Sequence, residues 1–513
     1  MPAAQRYALL MIVTAVVAVM TVSVAYRAVP DRAFAADDFQ WVLNVRDRSL
    51  PEVAARAFDV GAASHFYRPL VWLLLWSEWQ LFGFDARAFH LLSLALHTLN
   101  AALTGALAYR LIKAQSPLAS IVGFSGTMLF VALHPAPFEA VVWVSAQSEL
   151  LAACLLLLAA HCWWSAGGSD QQATHRRGWR VAATAVLALT LLTKESAIIG
   201  LPLFALLEWQ AARAARRRPE WCPLVLPLLV TGAYLVVALD VAARSDLVRA
   251  RGYGLGIQVV LNPLRSLGLI AAPLPGVEYG REAWLPLAGA FVALTCAGVL
   301  FVCWRLRSGG ASLLTGFLAL ILTLIPTAPF ASAPDSRYLY LPVLVIALLI
   351  GAGASKLVGW ITSLGSHRTV PGVTGSTGDS AVGQRILWEE RRIPILRIFV
   401  GATAIAIVTL SGVLAVNEIR GREVRFAAGA RPGEELRLFA AARCADAVFE
   451  RILVVEPPIA APHVEAIIHL SCGVRTHTMV IGTGDVEREL RPNTLVIAFD
   501  GGFPRELIRT SAE

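Results

Sequence analysis

The sequence predicts an all-α polytopic membrane bundle of about eleven transmembrane helices followed by a small C-terminal α/β domain. Three observations carry that expectation. The chain of 513 residues is 57% hydrophobic and only 16% charged, against about a quarter charged in soluble domains. Apolar runs near the roughly 20 residues that cross a bilayer recur from Tyr7 to Ile419. Between them the basic residues stand in short clusters, and one orientation places every cluster on the cytoplasmic side.

The net charge of +8 therefore anchors helix ends, and no nucleic-acid partner is expected. The seven cysteines have no metal-ligand spacing. Cys154, Cys162, Cys222, Cys296 and Cys303 lie in apolar runs as small core residues. Cys444 and Cys472 lie in the polar tail and can pair if that tail is extracytoplasmic.

Taken in order, the first run (8–27) reads as an uncleaved helix that carries the chain outward. The second (88–109) returns to Arg110 and Lys113, the third (117–133) runs out, and the fourth (147–165) returns to His175, Arg176, Arg177 and Arg180. A short hairpin, 180–193 and 196–210, returns to Arg213, Arg216, Arg217 and Arg218, the strongest cytoplasmic marker. The seventh helix (222–240) runs out and the eighth (284–304) returns to Arg305 and Arg307. The ninth (311–330) runs out, and the tenth (338–360) returns to a Gly/Ser/Thr-rich loop containing Arg385, Arg391 and Arg392. The eleventh (395–416) leaves the tail outside. Two segments, Phe66–Phe82 and Gln258–Leu274, are interrupted by charge or proline and read as interfacial or re-entrant pieces. The boundaries are thus 1–416 for the membrane domain and 417–513 for the tail. In the tail Arg451–Val455, His477–Ile481 and Thr494–Phe499 look like strands, with helical patterns at Gly433–Ala442 and Ala461–Leu470.

The unusual polar residues gather on one side of this topology. They are Asp37 and Asp38, then His65, Tyr67 and Arg68, then His134, Glu139, Trp143, Ser145, Gln147 and Glu149. Lys194-Glu195 and Asp335-Ser336-Arg337-Tyr338 complete the group. Each has a bland reading too. The aspartates suit a helix N-cap, His134 a helix end, Glu139 a helix N-terminus, and Trp143, Arg337 and Tyr338 interface anchors. Lys194-Glu195 lies between two short spans, so it should dip into the apolar zone, where ionisable groups are costly and usually functional.

At these residues the sequence resembles the C-type glycosyltransferases that use polyprenyl-phosphate sugars, nearest the membrane part of the tetratricopeptide-repeat O-mannosyltransferases and their bacterial relatives. The resemblance covers about residues 8–360. It rests on Asp37-Asp38-Phe39, Tyr67-Arg68-Pro69-Leu70, Phe89-His90, His97, His134-Pro135 with Glu139, Trp143, Ser145 and Glu149, Lys194-Glu195, and Arg337-Tyr338-Leu339-Tyr340-Leu341-Pro342. No repeat of about 34 residues follows.

The resemblance implies a glycosyltransferase of the cell (inner or plasma) membrane, with its active site and tail extracytoplasmic. It implies a polyprenyl-phosphate-linked sugar donor and membrane lipid as partners; the acceptor, whether protein, lipid or glycan, stays open. It puts the catalytic base on Asp37 or Asp38, with Asp37 favoured and Glu139 assisting. Lys194, Arg337, Arg68 and possibly Arg265 would meet the departing lipid phosphate, with Glu195 and Tyr338 beside them. His134, Trp143 and Gln147 would support the acceptor. A divalent metal, Mg or Mn, has a possible ligand set in Asp37, Asp38 and His134 or Glu139. The competing readings are a secondary transporter and a non-catalytic membrane protein of the cell envelope.

Overall fold

The computed structural model describes residues 3–63, 65–112, 116–167, 173–245, 253–273, 282–305, 310–363 and 380–510. Lys113, Leu274 and Arg307, used above as segment ends, lie outside these residues.

The chain is a multi-pass helical membrane protein. Among the described residues five helices are long and apolar enough to cross a membrane: Ala86–Leu111, Val144–Ala166, Glu195–Ala214, Cys222–Arg244 and Ser336–Gly359. Four shorter apolar helices, Leu9–Ala25, Pro117–Leu133, Leu285–Gly298 and Leu313–Thr327, fall on other expected spans. The centre of the bundle joins helices α1 (Ala3–Ala25), α5 (Ala86–Leu111), α6 (Pro117–Leu133), α8 (Gln147–Ala166) and α15 (Tyr340–Ser363) around Val22, Ala101, Met128, Leu150, Tyr340 and Ala347. With lipid on the outside, association depends on close backbone approach. Gly123 and Gly351 supply it: a Cβ on Gly351 would stand 2.7 Å from the Gly123 carbonyl oxygen.

The hairpin at Lys194 departs from expectation. Its first arm, α9 (Ala173–Leu191), has 19 residues, and the second crosses as Glu195–Ala214, its regular part being α10 (Gly200–Ala214). The helix of the first arm runs on through its arginines, but α9 is not among the helices apolar and long enough to cross, and its apolar part remains short. The cause of the extension is electrostatic. Arg176 and Arg180 at the start of α9 pair with Glu220, and Arg180 and Arg217 also reach the buried Glu208. Helix can therefore extend through the charged turn.

The two interrupted segments are helices, α4 (Pro69–Phe82) and α12 (Gln258–Ala271), and neither is among the helices apolar and long enough to span. The first loop also forms α2 (Asp37–Val45) and α3 (Leu50–Phe58). The latter opens with a capping box between Ser49 and Glu52.

The boundary at 416/417 falls inside one unbroken helix, α16 (Ser380–Asp446, 67 residues), about 100 Å long at helical rise. It contains both the eleventh expected span and the tail pattern at Gly433–Ala442. Pro432 and Gly433 lie within it without breaking it. Beyond it lie β1 (Arg451–Val455), α17 (Ala461–Cys472), β2 (His477–Ile481), β3 (Thr494–Asp500) and β4 (Phe503–Arg509). The sheet order is β2-β1-β3-β4, with the first three parallel and β4 antiparallel. Strand β4 was not expected. Its signal was Gly501-Gly502, both at positive φ, the two-residue turn that a tight hairpin requires.

The tail is not a separate lobe. Phe39, Val42 and Val45 of α2 and Val71 and Leu75 of α4 share one apolar core with Leu436 and Ala440 of α16, Ile467 of α17, and Ile452 and Ile497 of the sheet. Arg46 fastens the other end of α2 by donating to the Leu470 carbonyl at 2.8 Å.

Cys444 and Cys472 form a disulfide that joins the end of α16 to the end of α17. Closing this loop removes about 3 kcal/mol of chain entropy from the unfolded tail. Replacing both cysteines by serine should lower the tail's stability by about that amount in denaturant unfolding followed by limited proteolysis; an unchanged midpoint would contradict the linkage.

Candidate active site

Helix α2 opens at Asp37, directly after Ala36 at φ 48°, ψ −116°. A non-glycine residue there costs on the order of 1–3 kcal/mol, so something must hold the turn. Asp38 does. Its carboxylate accepts the Ala35 N–H at 2.9 Å, the Ser145 N–H at 2.7 Å and the Ser145 hydroxyl. Asp38 is 1% exposed, and burial pushes its carboxyl up to about 7, opposed by the three hydrogen bonds. Asp37 differs: its side chain is 47% exposed. The two adjacent aspartates are thus a brace and an open carboxylate.

The segment that Asp38 grips carries the next contacts. Trp143 Nε1 donates to the Ala35 carbonyl at 3.2 Å, and its ring lies under the Arg337 guanidinium at 4.8 Å. Arg337 also lies over the Tyr338 ring at 4.9 Å and pairs with Asp335 at 2.7 Å. Its backbone N–H points to Glu139 Oε2 at 3.4 Å, while the Glu139 N–H meets the Ser336 hydroxyl at 3.3 Å. Lys194 Nζ sits 5.4 Å from the Tyr338 ring centre and 3.0 Å from Glu149 Oε1; both side chains of this pair are 4% exposed. Glu195 turns away from its neighbour and takes a two-bonded Arg68, at 2.9 and 2.7 Å. The Leu70 N–H donates to the Leu192 carbonyl at 3.1 Å and closes the group.

Asp38, Glu139, Trp143, Lys194, Glu195, Arg337, Tyr338 and Arg68 therefore form one connected cluster, drawn from the first loop, the α6–α8 connection, the α9–α10 turn and the start of α15; Asp37 adjoins it as the chain neighbour of Asp38, with its carboxylate toward the tail. Gln147 and His134 face elsewhere. Gln147 is buried and its amide nitrogen points to Glu78, the Phe89 carbonyl and Ser93 at 3.0–3.1 Å. Glu78 is itself pushed up to about 8 by burial, against the Gln147 hydrogen bond and with help from Asp38. His134 uses Nδ1 to accept the Ala136 N–H and Nε2 to donate to the Ile270 carbonyl at 3.1 Å, so it staples α6 to α12. With Asp38 facing Ser145 and Glu139 facing Arg337, the residues considered as metal ligands point to separate partners. Among the described residues no three acidic, His or Cys groups gather to hold a metal.

Ser145 and Glu149 stood within the matching motifs, and Asp335 among the polar residues gathered on one side, but none was singled out as a site residue. His463 of α17, whose Nε2 lies 3.6 Å from Asp37 Oδ1, had no signal: it is one of three tail histidines, with His469 and His477, more than 400 residues downstream.

No protein-family model and no curated protein matches the chain. Solved structures do. ArnT from Cupriavidus metallidurans bound to undecaprenyl phosphate is 15% identical with a TM-score of 0.48, over 97% of this chain and 93% of that one. The Archaeoglobus fulgidus oligosaccharyltransferase in its apo form is 12% identical with a TM-score of 0.51, over 91% of this chain. The chain spans 64% of that enzyme's length. This is the C-type glycosyltransferase fold. The identity is low enough that the likeness speaks for the fold alone, and the match extends past the membrane helices into the tail.

The division between the two aspartates is measurable. Asp38→Ala leaves three buried donors without an acceptor and should destabilise the first loop by about 2–4 kcal/mol, seen as faster amide exchange through α2; Asp37→Ala should leave exchange unchanged. Because the folded Asp38 carboxyl stands above its ordinary value of 3.8, its ionised form opposes folding. Its contribution is most favourable below that value and is lost as pH rises through about 7. The protection of α2 amides, taken as the intrinsic exchange rate at each pH divided by the observed rate, should accordingly fall from pH 5 to pH 8; rising protection would contradict the assignment.

Proposed function

We propose that this protein is a membrane glycosyltransferase that moves a sugar from a polyprenyl-phosphate donor to an acceptor on the extracytoplasmic face. The observation that carries the reading is an open carboxylate, Asp37, next in the chain to Asp38, whose contacts lead through Ser145 and Trp143 to the group of cations Arg337, Arg68 and Lys194, within a C-type glycosyltransferase fold. Glycosyl transfer needs those two functions side by side.

In this reading Asp37 takes the proton of the acceptor hydroxyl as that oxygen bonds to the anomeric carbon. The bond from that carbon to the phosphate oxygen breaks, and its electron pair leaves with the lipid phosphate. The anomeric centre inverts. Asp38 holds Asp37 in place through Ser145 and Ala35 without touching substrate.

The cations divide by the exposure of their partners. Arg337 pairs with Asp335 and Arg68 with Glu195, and both carboxylates are more than a third exposed. An arriving phosphate can approach these pairs from the open side of the carboxylates and take their place at the guanidinium groups. Lys194 and Glu149 are both buried, and removing one partner of such a pair costs about 3–5 kcal/mol. We therefore give phosphate contact to Arg337 and Arg68, and assign Lys194 to holding the Tyr338 ring beside them.

Sidedness has two supports. The charge clusters orient the site and tail outward, and the Cys444–Cys472 bond belongs in an oxidising compartment.

The test uses the purified full chain with radiolabelled undecaprenyl-phosphate-linked hexoses and a cell-envelope extract as acceptor. Wild type should release undecaprenyl phosphate and label the extract. Asp37→Asn should lower kcat by at least about a hundredfold, and Arg337→Ala by about 10²–10³. Arg337→Lys should recover little, because the planar stack on Trp143 is lost. Full turnover by Asp37→Asn, or substrate uptake into liposomes without sugar transfer, would contradict the reading.

A further inference from the structure

We infer that the C-terminal domain completes the active site, with His463 acting as the positioning residue of the Asp37 carboxylate. The inference rests on the proposed role of Asp37 and extends it to a residue and a domain outside the membrane bundle.

His463 lies in the first turn of α17, and Nε2 stands 3.6 Å from Asp37 Oδ1, with the imidazole side chain 20% exposed. That is ion-pair distance, slightly beyond a hydrogen bond, and such contacts tighten when substrate fills a site. The other ring nitrogen, Nδ1, is buried without a hydrogen-bond partner. This asymmetry fixes the tautomer. A proton on Nδ1 would bury an unpaired donor and turn the Nε2 lone pair toward a carboxylate, two unfavourable arrangements at once. A proton on Nε2 removes both. His463 therefore presents N–H to Oδ1, engages one oxygen of Asp37, and leaves Oδ2 to receive the acceptor's proton.

The surroundings make the contact a built one. Phe39, two residues after Asp37, is fully buried against the tail core. A Cβ on Gly433 would lie 3.3 Å from the Phe39 ring and 3.5 Å from Ile467 of α17, so α2 is seated between α16 and α17. Arg46 bonds the far end of α2 to α17. A shift of the tail would move His463 and the Asp37 turn together.

The experiment compares the full chain with His463→Ala, His463→Phe and His463→Gln in two assays. The first is transfer from undecaprenyl-phosphate-linked hexoses. The second, independent of turnover, is labelling of Asp37 by a water-soluble carbodiimide, read by peptide mass spectrometry. His463→Ala and His463→Phe should lower kcat by about ten- to a hundredfold with donor KM and thermal midpoint unchanged, and label Asp37 several-fold faster. His463→Gln, which restores an N–H donor, should recover most of both. Unchanged kcat in the Ala and Phe variants overturns the inference, as does an equal loss in Gln. If wild type transfers no sugar but labelling still quickens without His463, the transferase reading fails and the Asp37–His463 contact stands. Active wild type with unchanged labelling does the reverse.

Discussion

The site depends on the burial of one face of a nine-residue helix. Phe39, Val42 and Val45 of α2 are removed from solvent between α4, α16 and α17, at roughly 1.5–3 kcal/mol for each side chain. That gain exceeds the strain at Ala36 and lets the turn before Asp37 persist. Asp38 adds its three hydrogen bonds to Ala35 and Ser145, so the open carboxylate is held by packing on one side and polar anchoring on the other. Without the tail, α2 would present an apolar stripe to water and the turn at Asp37 would lose its seat.

The second constraint is charge. Bringing Arg68, Lys194 and Arg337 together at a membrane boundary is costly unless each has a counterion. Glu195, Glu149 and Asp335 supply them. Two of these counterions are partly exposed and one is deeply buried, and that difference separates a pair built to exchange from a pair built to stay. The aromatic faces of Trp143 and Tyr338 hold the cations in position while partners change.

Much of the bundle was legible in the sequence because hydropathy and basic clusters are strong, local signals. The five long apolar helices fall on expected spans, and Asp38, Trp143, Ser145, Lys194, Glu149, Arg337 and Tyr338 of the family motifs meet in the structure, while His97 and His134 do not join them. What failed to show has physical reasons. The helix of the first arm at Lys194 looked short because Arg176 and Arg180 appear unfavourable in it until Glu208 and Glu220 are found to neutralise them. The unity of α16 was hidden by the change near residue 417 from an apolar to a charged sequence, which the helix crosses without a break. Strand β4 was missed although Gly501-Gly502 announced its turn. Gln147 and His134 looked like site residues because polar groups in apolar surroundings attract attention. Both instead satisfy buried backbone and side-chain groups, a role that only the partners reveal. His463 was invisible because its meaning lies in a contact with a residue at the other end of the chain.

The central claim is that proton removal and phosphate departure occur in one cluster at one membrane face. The most direct measurement is an experimental structure of the full chain with a bound polyprenyl-phosphate sugar analogue in a lipid nanodisc. The account predicts the phosphate at the Arg337 and Arg68 guanidinium groups, in exchange with Asp335 or Glu195, and the anomeric carbon facing Asp37. A phosphate seated at the opposite membrane face, by Arg180 and Arg217, would contradict it.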